Sequence, residues 1–227
     1  VPLPGLPALS MQKIVKENSA THYTINVTYP RVVHLSDATV EKKINAAIEK
    51  SATAEIEDFV KSANQEKSLL FGEATSTLSV LSTTEDFTPR YFSVRQLHTE
   101  FGAGAAHPLE NVTVLNYDLA TGEELTLAAL FETKSDYLAF LSDYARKALA
   151  DEITPLGEKT AELQKWFADG TAPTAENFSV FLLRKDALVL IFNPYQIGPY
   201  VFGKHEVAIP WTAMHSLLTD MWQPPMP

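Results

Sequence analysis

The chain has 227 residues, 45% of them hydrophobic and 20% charged, the balance of an ordinary globular protein able to bury about 70 to 75% of its unfolded surface. Its formal net charge of -10 argues against a nucleic-acid binder, because phosphate contacts require Lys and Arg gathered on one face, and is compatible with a cationic protein partner. There is no cysteine, which excludes disulfides, thiolate metal knuckles and thiol catalysis.

The chain opens on VPLPGLPALS, with Pro2, Pro4 and Pro7 close together, a composition suited to an extended tether. Residues 1–11 are expected to be a stub left after removal of a signal or anchor segment, which places the protein outside the cytoplasm, whether periplasmic, secreted or membrane-anchored. In THYTINVTY (21–29), Tyr23, Ile25, Val27 and Tyr29 share one face of a period-two pattern. A half-buried strand is expected there, paired as a hairpin with residues 11–16 and closed by Pro30. From Asp37 to Asn64, Val40, Ile44, Ile48, Ile56, Phe59 and Ala63 recur at helical spacing, with Ser36 or Asp37 as N-cap. This predicts one long amphipathic helix packed on a sheet. Residues 75–83, 90–101 and 111–117 are rich in β-branched and aromatic residues and predict an antiparallel meander.

Thr121-Gly122 marks a turn, and beyond it a second amphipathic helix is expected over 135–152. A shorter helix follows over 158–168 with Gly170 just past its end, then strands at 177–183, 187–192 and 206–209. This order predicts an α+β fold, an antiparallel sheet with two main amphipathic helices packed on one face. Two sequence modules, 12–122 and 123–220, are expected to form one compact unit, since each alone supplies little to cover a sheet face. Residues 221–227 are expected to be a tail. The longest uncharged run, 187–203, is interrupted by Asn193, Pro194, Gln196, Gly198 and Pro199, so no segment is apolar over the length that a transmembrane helix needs.

Two stretches carry candidate chemistry. FGAGAAHP (101–108) is a near miss for a dinucleotide fingerprint, lacking the third glycine and a following helix. Its glycines are expected to permit positive φ in a loop between strands, with His107 pinned there by hydrogen bonds. Alternatively, His98 and Glu100 share one strand face and His107 swings in to complete an open three-ligand metal site; the expectation is that no metal and no cofactor is held. Neither a G-x-S-x-G nucleophile elbow nor H-E-x-x-H occurs. The sequons at Asn26, Asn111 and Asn177 are read as chance.

The second stretch is NPYQIGPYVFG (193–203). Pro194 and Pro199 cannot donate to a central ladder, so the segment is an edge, a bulge or an excursion from the sheet. Tyr195 and Tyr200 each present a large flat surface with a polar tip. They either contact a ligand or plug the end of the sheet, and contact is preferred because the prolines already restrict the backbone and each ring has two torsions to fix.

TGEELTLAALF, GAGAAHP and the run WFADGTAPTAENFSVFLLRKDALVLIFNPYQIGPYVFGKHEVAIPW resemble the extracytoplasmic domain of unknown function shared by the bacterial lysozyme-sensing anti-sigma-V factor and some peptidoglycan deacetylases. The resemblance implies a two-module α+β domain outside the cytoplasmic membrane, often behind an anchor. Such a domain binds lysozyme in the sensing branch and accompanies a catalytic domain in the other. By matching positions it implies contact roles for His107, Asn193, Pro194, Tyr195, Pro199 and Tyr200. The doubled Gly-Ala of GAGAAHP departs from the usual Gly-Gly-Ala-His. The expected function is a non-catalytic binding module of the bacterial cell envelope, recognising a cationic protein such as lysozyme or a peptidoglycan fragment. The alternative is an envelope polysaccharide hydrolase or metal-dependent enzyme working through His98, Glu100 and His107.

Overall fold

The computed structural model describes residues 7–66, 74–153 and 160–222. The chain is α+β, as expected, and it divides into two compact units, Val1–Glu124 and Leu125–Pro227, each with a sheet of its own.

In the first unit, β1 (Ala8–Asn18) and β2 (Tyr23–Val33) form the hairpin. Its connection is tightened by Asn18 Oδ1, which accepts from the Ala20 and Thr21 N–H groups at 2.9 and 3.2 Å. Residues 8–11, expected in the tether, are the first of β1, paired with Val33 to Pro30; residues 1–6 lie outside the described residues. Pro30 does not close β2. It sits beyond Thr28, where β2 has lost its second neighbour and pairs with β1 alone, so no second ladder calls for the missing N–H.

From β2 the chain crosses through α1 (Ala38–Thr53) and α2 (Ile56–Glu66) to β3 (Ser76–Phe87), which runs parallel to β2. Parallel neighbours need such a crossover. β4 (Tyr91–Phe101) and β5 (Leu109–Asp118) then add as antiparallel strands, giving a mixed sheet in the order β1-β2-β3-β4-β5. The expected all-antiparallel pairing is thus corrected at β2 and β3. Asp37 caps α1, its Oδ1 accepting from the Thr39 and Val40 N–H groups at 2.7 and 3.2 Å. Ile44, Ile48 and Ala52 join the core with Ile25, Val27, Leu78, Val80 and Phe92.

The expected single long helix is broken at Ala54–Glu55. No Gly or Pro causes the break; the Ala54 N–H turns to Ser51 O, and the ladder restarts with Phe59 N–H donating to Glu55 O. On its sheet side the break meets polar groups of β4. Ser51 Oγ donates to Gln96 Oε1 at 2.6 Å, and Glu55 Oε2 lies 3.1 Å from His98 Nδ1. Buried Asn45 of α1 acts as a strand partner for Val32: its Nδ2 donates to the Val32 carbonyl and its Oδ1 accepts the Val32 N–H, both at 2.8 Å. The side-chain amide replaces the ladder that β3 no longer supplies there.

The second unit begins with a 3-10 turn, Leu127–Leu130, then α3 (Tyr137–Ile153) and α4 (Ala161–Gly170). α3 buries Leu141, Ala145 and Leu149. Thr160 caps α4 by accepting from the Leu163 N–H at 3.2 Å; the expected start at Glu158 lies outside the described residues. Gly170 is the last helical residue, not the one past the end.

The antiparallel sheet of this unit is β6 (Phe181–Leu183), β7 (Ala187–Phe192) and β8 (His205–Pro210), in that order. β7 is buried at every position, as its unbroken apolar run demands. β6 is shorter than expected because residues 174–179 are taken up in turns, with the Asn177 N–H donating to Thr174 Oγ1 and the Ser179 N–H to Glu176 O. Trp222, expected in the tail, is buried against Trp211, with ring centroids 6.3 Å apart and planes at 28°; residues 223–227 lie outside the described residues. No helix among the described residues is long and apolar enough to cross a membrane.

Two stability predictions follow from the first unit. Asn45→Ala leaves both polar groups of Val32 unpaired in the interior, and denaturant unfolding should report a loss of roughly 2–4 kcal/mol. Burial pushes the Tyr117 phenol up to about 12, and the Glu124 carboxylate adds to the rise. The folded state therefore holds this proton more tightly than the unfolded chain, and stability that is complete below the ordinary value of 10.0 falls as pH climbs towards 12. Thermal midpoints measured across that window should fall less steeply in Tyr117→Phe.

Candidate functional site

At Phe192 the chain leaves β7. Asn193-Pro194-Tyr195-Gln196 closes a turn in which the Gln196 N–H donates to the Asn193 carbonyl at 3.0 Å. Proline at the second position and φ of 70° at Tyr195 define a type II turn, whose third position ordinarily takes glycine. A side chain there costs about 1–2 kcal/mol. The surroundings hold it in place. Trp166 of α4 donates its indole N–H to the Tyr195 carbonyl at 2.8 Å. The Gln196 Nε2 donates to the carbonyls of Gly170 and Asn177 at 3.2 and 2.8 Å, while its Oε1 accepts the Asn193 N–H at 3.3 Å.

Asn177 is itself anchored, its Nδ2 donating to the carbonyls of Asp169 and Ala172 at 2.8 and 3.0 Å. The approach at Gly170 is so close that an added Cβ would lie 2.0 Å from the Gln196 carbonyl oxygen. Farther along, Ile197 is buried, Gly198 lies flat against the Phe202 ring, and Pro199 leads into a 3-10 turn, Tyr200–Phe202.

Ile197 and Phe202, 2% and 8% exposed, do the packing that might have been assigned to the tyrosines. Tyr195 is 48% exposed, Tyr200 is half-buried, and their rings lie 5.5 Å apart at 39°. Val201 projects beside them, 80% exposed. The loop is uncharged, and three ion pairs lie on the flanking segments: Lys165 with Asp169, Lys204 with Glu206 at 2.7 Å, and Arg184 with Glu206 at 4.0 Å.

His107 belongs to the first unit. It is exposed, with Nδ1 2.9 Å from the Pro108 carbonyl. The glycine loop before it turns at Gly102-Ala103-Gly104-Ala105, the Ala105 N–H donating to Gly102 O at 2.9 Å with φ of 91° at Gly104. His98 is buried, with Nδ1 facing Glu55 Oε2 at 3.1 Å and Nε2 facing Thr113 Oγ1 at 3.0 Å. The set His98, Glu100 and His107 is not brought together: among the described residues no group of three or more His, Asp or Glu is placed to hold a metal ion. The partners that do reach His98, Glu55 and Thr113, were not singled out from the sequence, and neither were Trp166 and Gln196 around the tyrosine loop.

Within this unit, residues 128–212 match the family described as "Protein of unknown function (DUF3298)". The matched segment contains all of α4 and the tyrosine loop. The chain is 23% identical over 212 residues to the peptidoglycan-N-acetylmuramic acid deacetylase PdaC of Bacillus subtilis. The match takes in 92% of this chain and 41% of that protein, so the chain spans less than half the length of this relative. Two solved structures share the fold. A DUF3298 family member from Bacteroides fragilis superposes with a TM-score of 0.67 at 21% identity, over 95% of each chain. A DUF3298 family protein from Pseudomonas aeruginosa gives 0.65 at 14% identity, over 98% of each.

The turn geometry makes a specific stability prediction. Tyr195→Gly relieves the left-handed strain and removes a ring that is half in solvent, so the unfolding free energy should stay within about 1 kcal/mol of its original value. Loss of a packed aromatic would instead cost roughly 3–5 kcal/mol. Gln196→Ala, which strips the loop of its amide staple, should cost roughly 2–4 kcal/mol in the same denaturant titration.

Proposed function

We propose that the protein is a non-catalytic recognition module of the bacterial cell envelope, acting outside the cytoplasm, and that it holds a cell-wall glycan on the tyrosine loop. The observation that carries this reading is the Tyr195–Tyr200 pair: two aromatic rings outside the packed interior, one on a strained turn that Trp166 and Gln196 hold in place. Aromatic faces stack on the C–H faces of sugar rings while phenol tips reach hydroxyl and acetamido groups. A preorganised surface of this kind loses little freedom on binding. The paired charges around the loop favour an uncharged ligand, and similarity to a protein named as a peptidoglycan-N-acetylmuramic acid deacetylase supports peptidoglycan as its source. His107, exposed in the first unit, is a second candidate contact.

The net charge of -10 favours a second reading, in which the partner is a cationic protein such as lysozyme, steered by long-range attraction. Co-sedimentation with purified peptidoglycan and a pull-down on immobilised lysozyme separate the two. The proposal expects retention by peptidoglycan, weakened by about 1–4 kcal/mol in Tyr195→Ala or Tyr200→Ala with the thermal midpoint little changed. Retention by lysozyme alone would select the second reading. Binding to peptidoglycan that is indifferent to both tyrosines would overturn the assignment of the site.

A further inference from the structure

The buried polar groups where the helix break meets β4 are untouched by the proposed binding role. We propose that Glu55, His98 and Thr113 form a proton-operated latch on the bend between α1 and α2.

An ionised carboxylate only accepts, so the 3.1 Å contact with Glu55 Oε2 places a hydrogen on His98 Nδ1. In the neutral ring Nε2 is then an acceptor, and the Thr113 hydroxyl 3.0 Å away donates to it. When the ring takes up a proton, Nε2–H becomes a donor and Thr113 Oγ1 its acceptor. The Thr113 hydrogen then turns to Gln96 Oε1, 3.5 Å away. Gln96 Oε1 has room for it, since it otherwise accepts only from Ser51 Oγ among the hydrogen bonds described, and the Gln96 amide is held by Ser82 Oγ at 3.3 Å. Both protonation states are therefore satisfied by the same side chains, with only the direction of the hydrogen bonds reversed. The difference is electrostatic: proton uptake turns the Glu55–His98 hydrogen bond into an ion pair.

Glu55 is the residue at which the helix breaks, so tightening this contact tightens the bend. The groups flanking the ring in register, Val80 of β3 and Asn111 of β5, carry no charge. Glu100 lies two residues along the same face of β4, and Glu57 and Asp58 of α2 are exposed. The hydrogen bond from His98 holds the Glu55 carboxyl below its ordinary value against the opposing effect of burial. Its share of stability is complete above that ordinary value and is lost only as pH falls through the lowered one. The latch thus tightens when the ring is protonated and opens when the carboxyl is.

The test is amide hydrogen exchange across α2, with the ring nitrogen shifts of His98, on the whole chain between about pH 5 and 8. After correction for the intrinsic pH dependence of exchange, α2 should slow by roughly two- to fivefold as His98 takes up its proton, the span expected of a half-exposed ion pair. Nδ1 should carry hydrogen throughout. His98→Gln and Glu55→Gln should each abolish the dependence. Glu55→Gln keeps the test available if the first variant fails to fold, because the Glu55 side chain is 41% exposed. Thr113→Val, which leaves the protonated ring without its second acceptor, should weaken or reverse the dependence. Exchange in α2 that ignores pH in the native chain, or that still follows it in either His98→Gln or Glu55→Gln, would refute the latch.

Discussion

A polar group carried into the interior without a partner costs roughly 1–3 kcal/mol, and this chain carries several inward at the points where its elements join. In the first unit, Asn45 enters the core only because Val32 offers a matching donor and acceptor, and the α1 axis is tied to the end of β2 by that match. In the second unit, Gln196 is engaged by three backbone groups drawn from the end of α4, the 177 turn and the start of the loop itself. Neither amide adds much apolar burial. Each fixes which segment meets which, because any other register would leave at least two groups unpaired.

The same constraint explains where periodicity was enough to read the fold and where it failed. Tyr23, Ile25, Val27 and Tyr29 were legible as a strand face because alternation is a local signal, and Val40, Ile44 and Ile48 as a helix face for the same reason. The break at Ala54–Glu55 was not legible. It has no Gly or Pro to announce it and arises where α1 passes from Phe92 and Val94 of β4, which are apolar, to Gln96 and His98, which are not. Strand pairing was equally hidden: nothing local in β2 or β3 shows that they lie side by side in parallel. Residues 177–179 continue the strand composition, yet the hydrogen bonds of Asn177 and Ser179 hold them in turns.

The tyrosine loop was legible in outline because proline has a narrow meaning: Pro194 suits the second position of a turn and Pro199 leads into the next. What could not be read was the support beneath it. Gln196 stands in the sequence as one more polar residue in a loop, and Trp166 as one more aromatic on an amphipathic helix, until the fold sets the end of α4 against the loop at Gly170. That glycine was read as a helix stop. Its larger role is steric, since no side chain fits between it and the Gln196 carbonyl.

Among the described residues, two hydrogen-bonded turns with a positive φ at their third residue sharpen the case for the loop. At Gly102–Ala105 the third residue is Gly104, the choice that relieves the backbone at least cost. At Asn193–Gln196 the third residue is Tyr195, among the less comfortable choices for that conformation. The strain is borne in spite of an available remedy, and the ring it retains is half in solvent rather than part of the core, so packing does not explain it. What the strain does produce is position: a turn of this type, fixed by the Trp166 and Gln196 hydrogen bonds, sets the Tyr195 ring beside that of Tyr200 at an orientation that a relaxed loop would have to find on binding. Stability exchanged for the placement of an exposed aromatic supports the proposal of a contact surface, and it is on this exchange, more than on exposure alone, that the proposal for the loop rests.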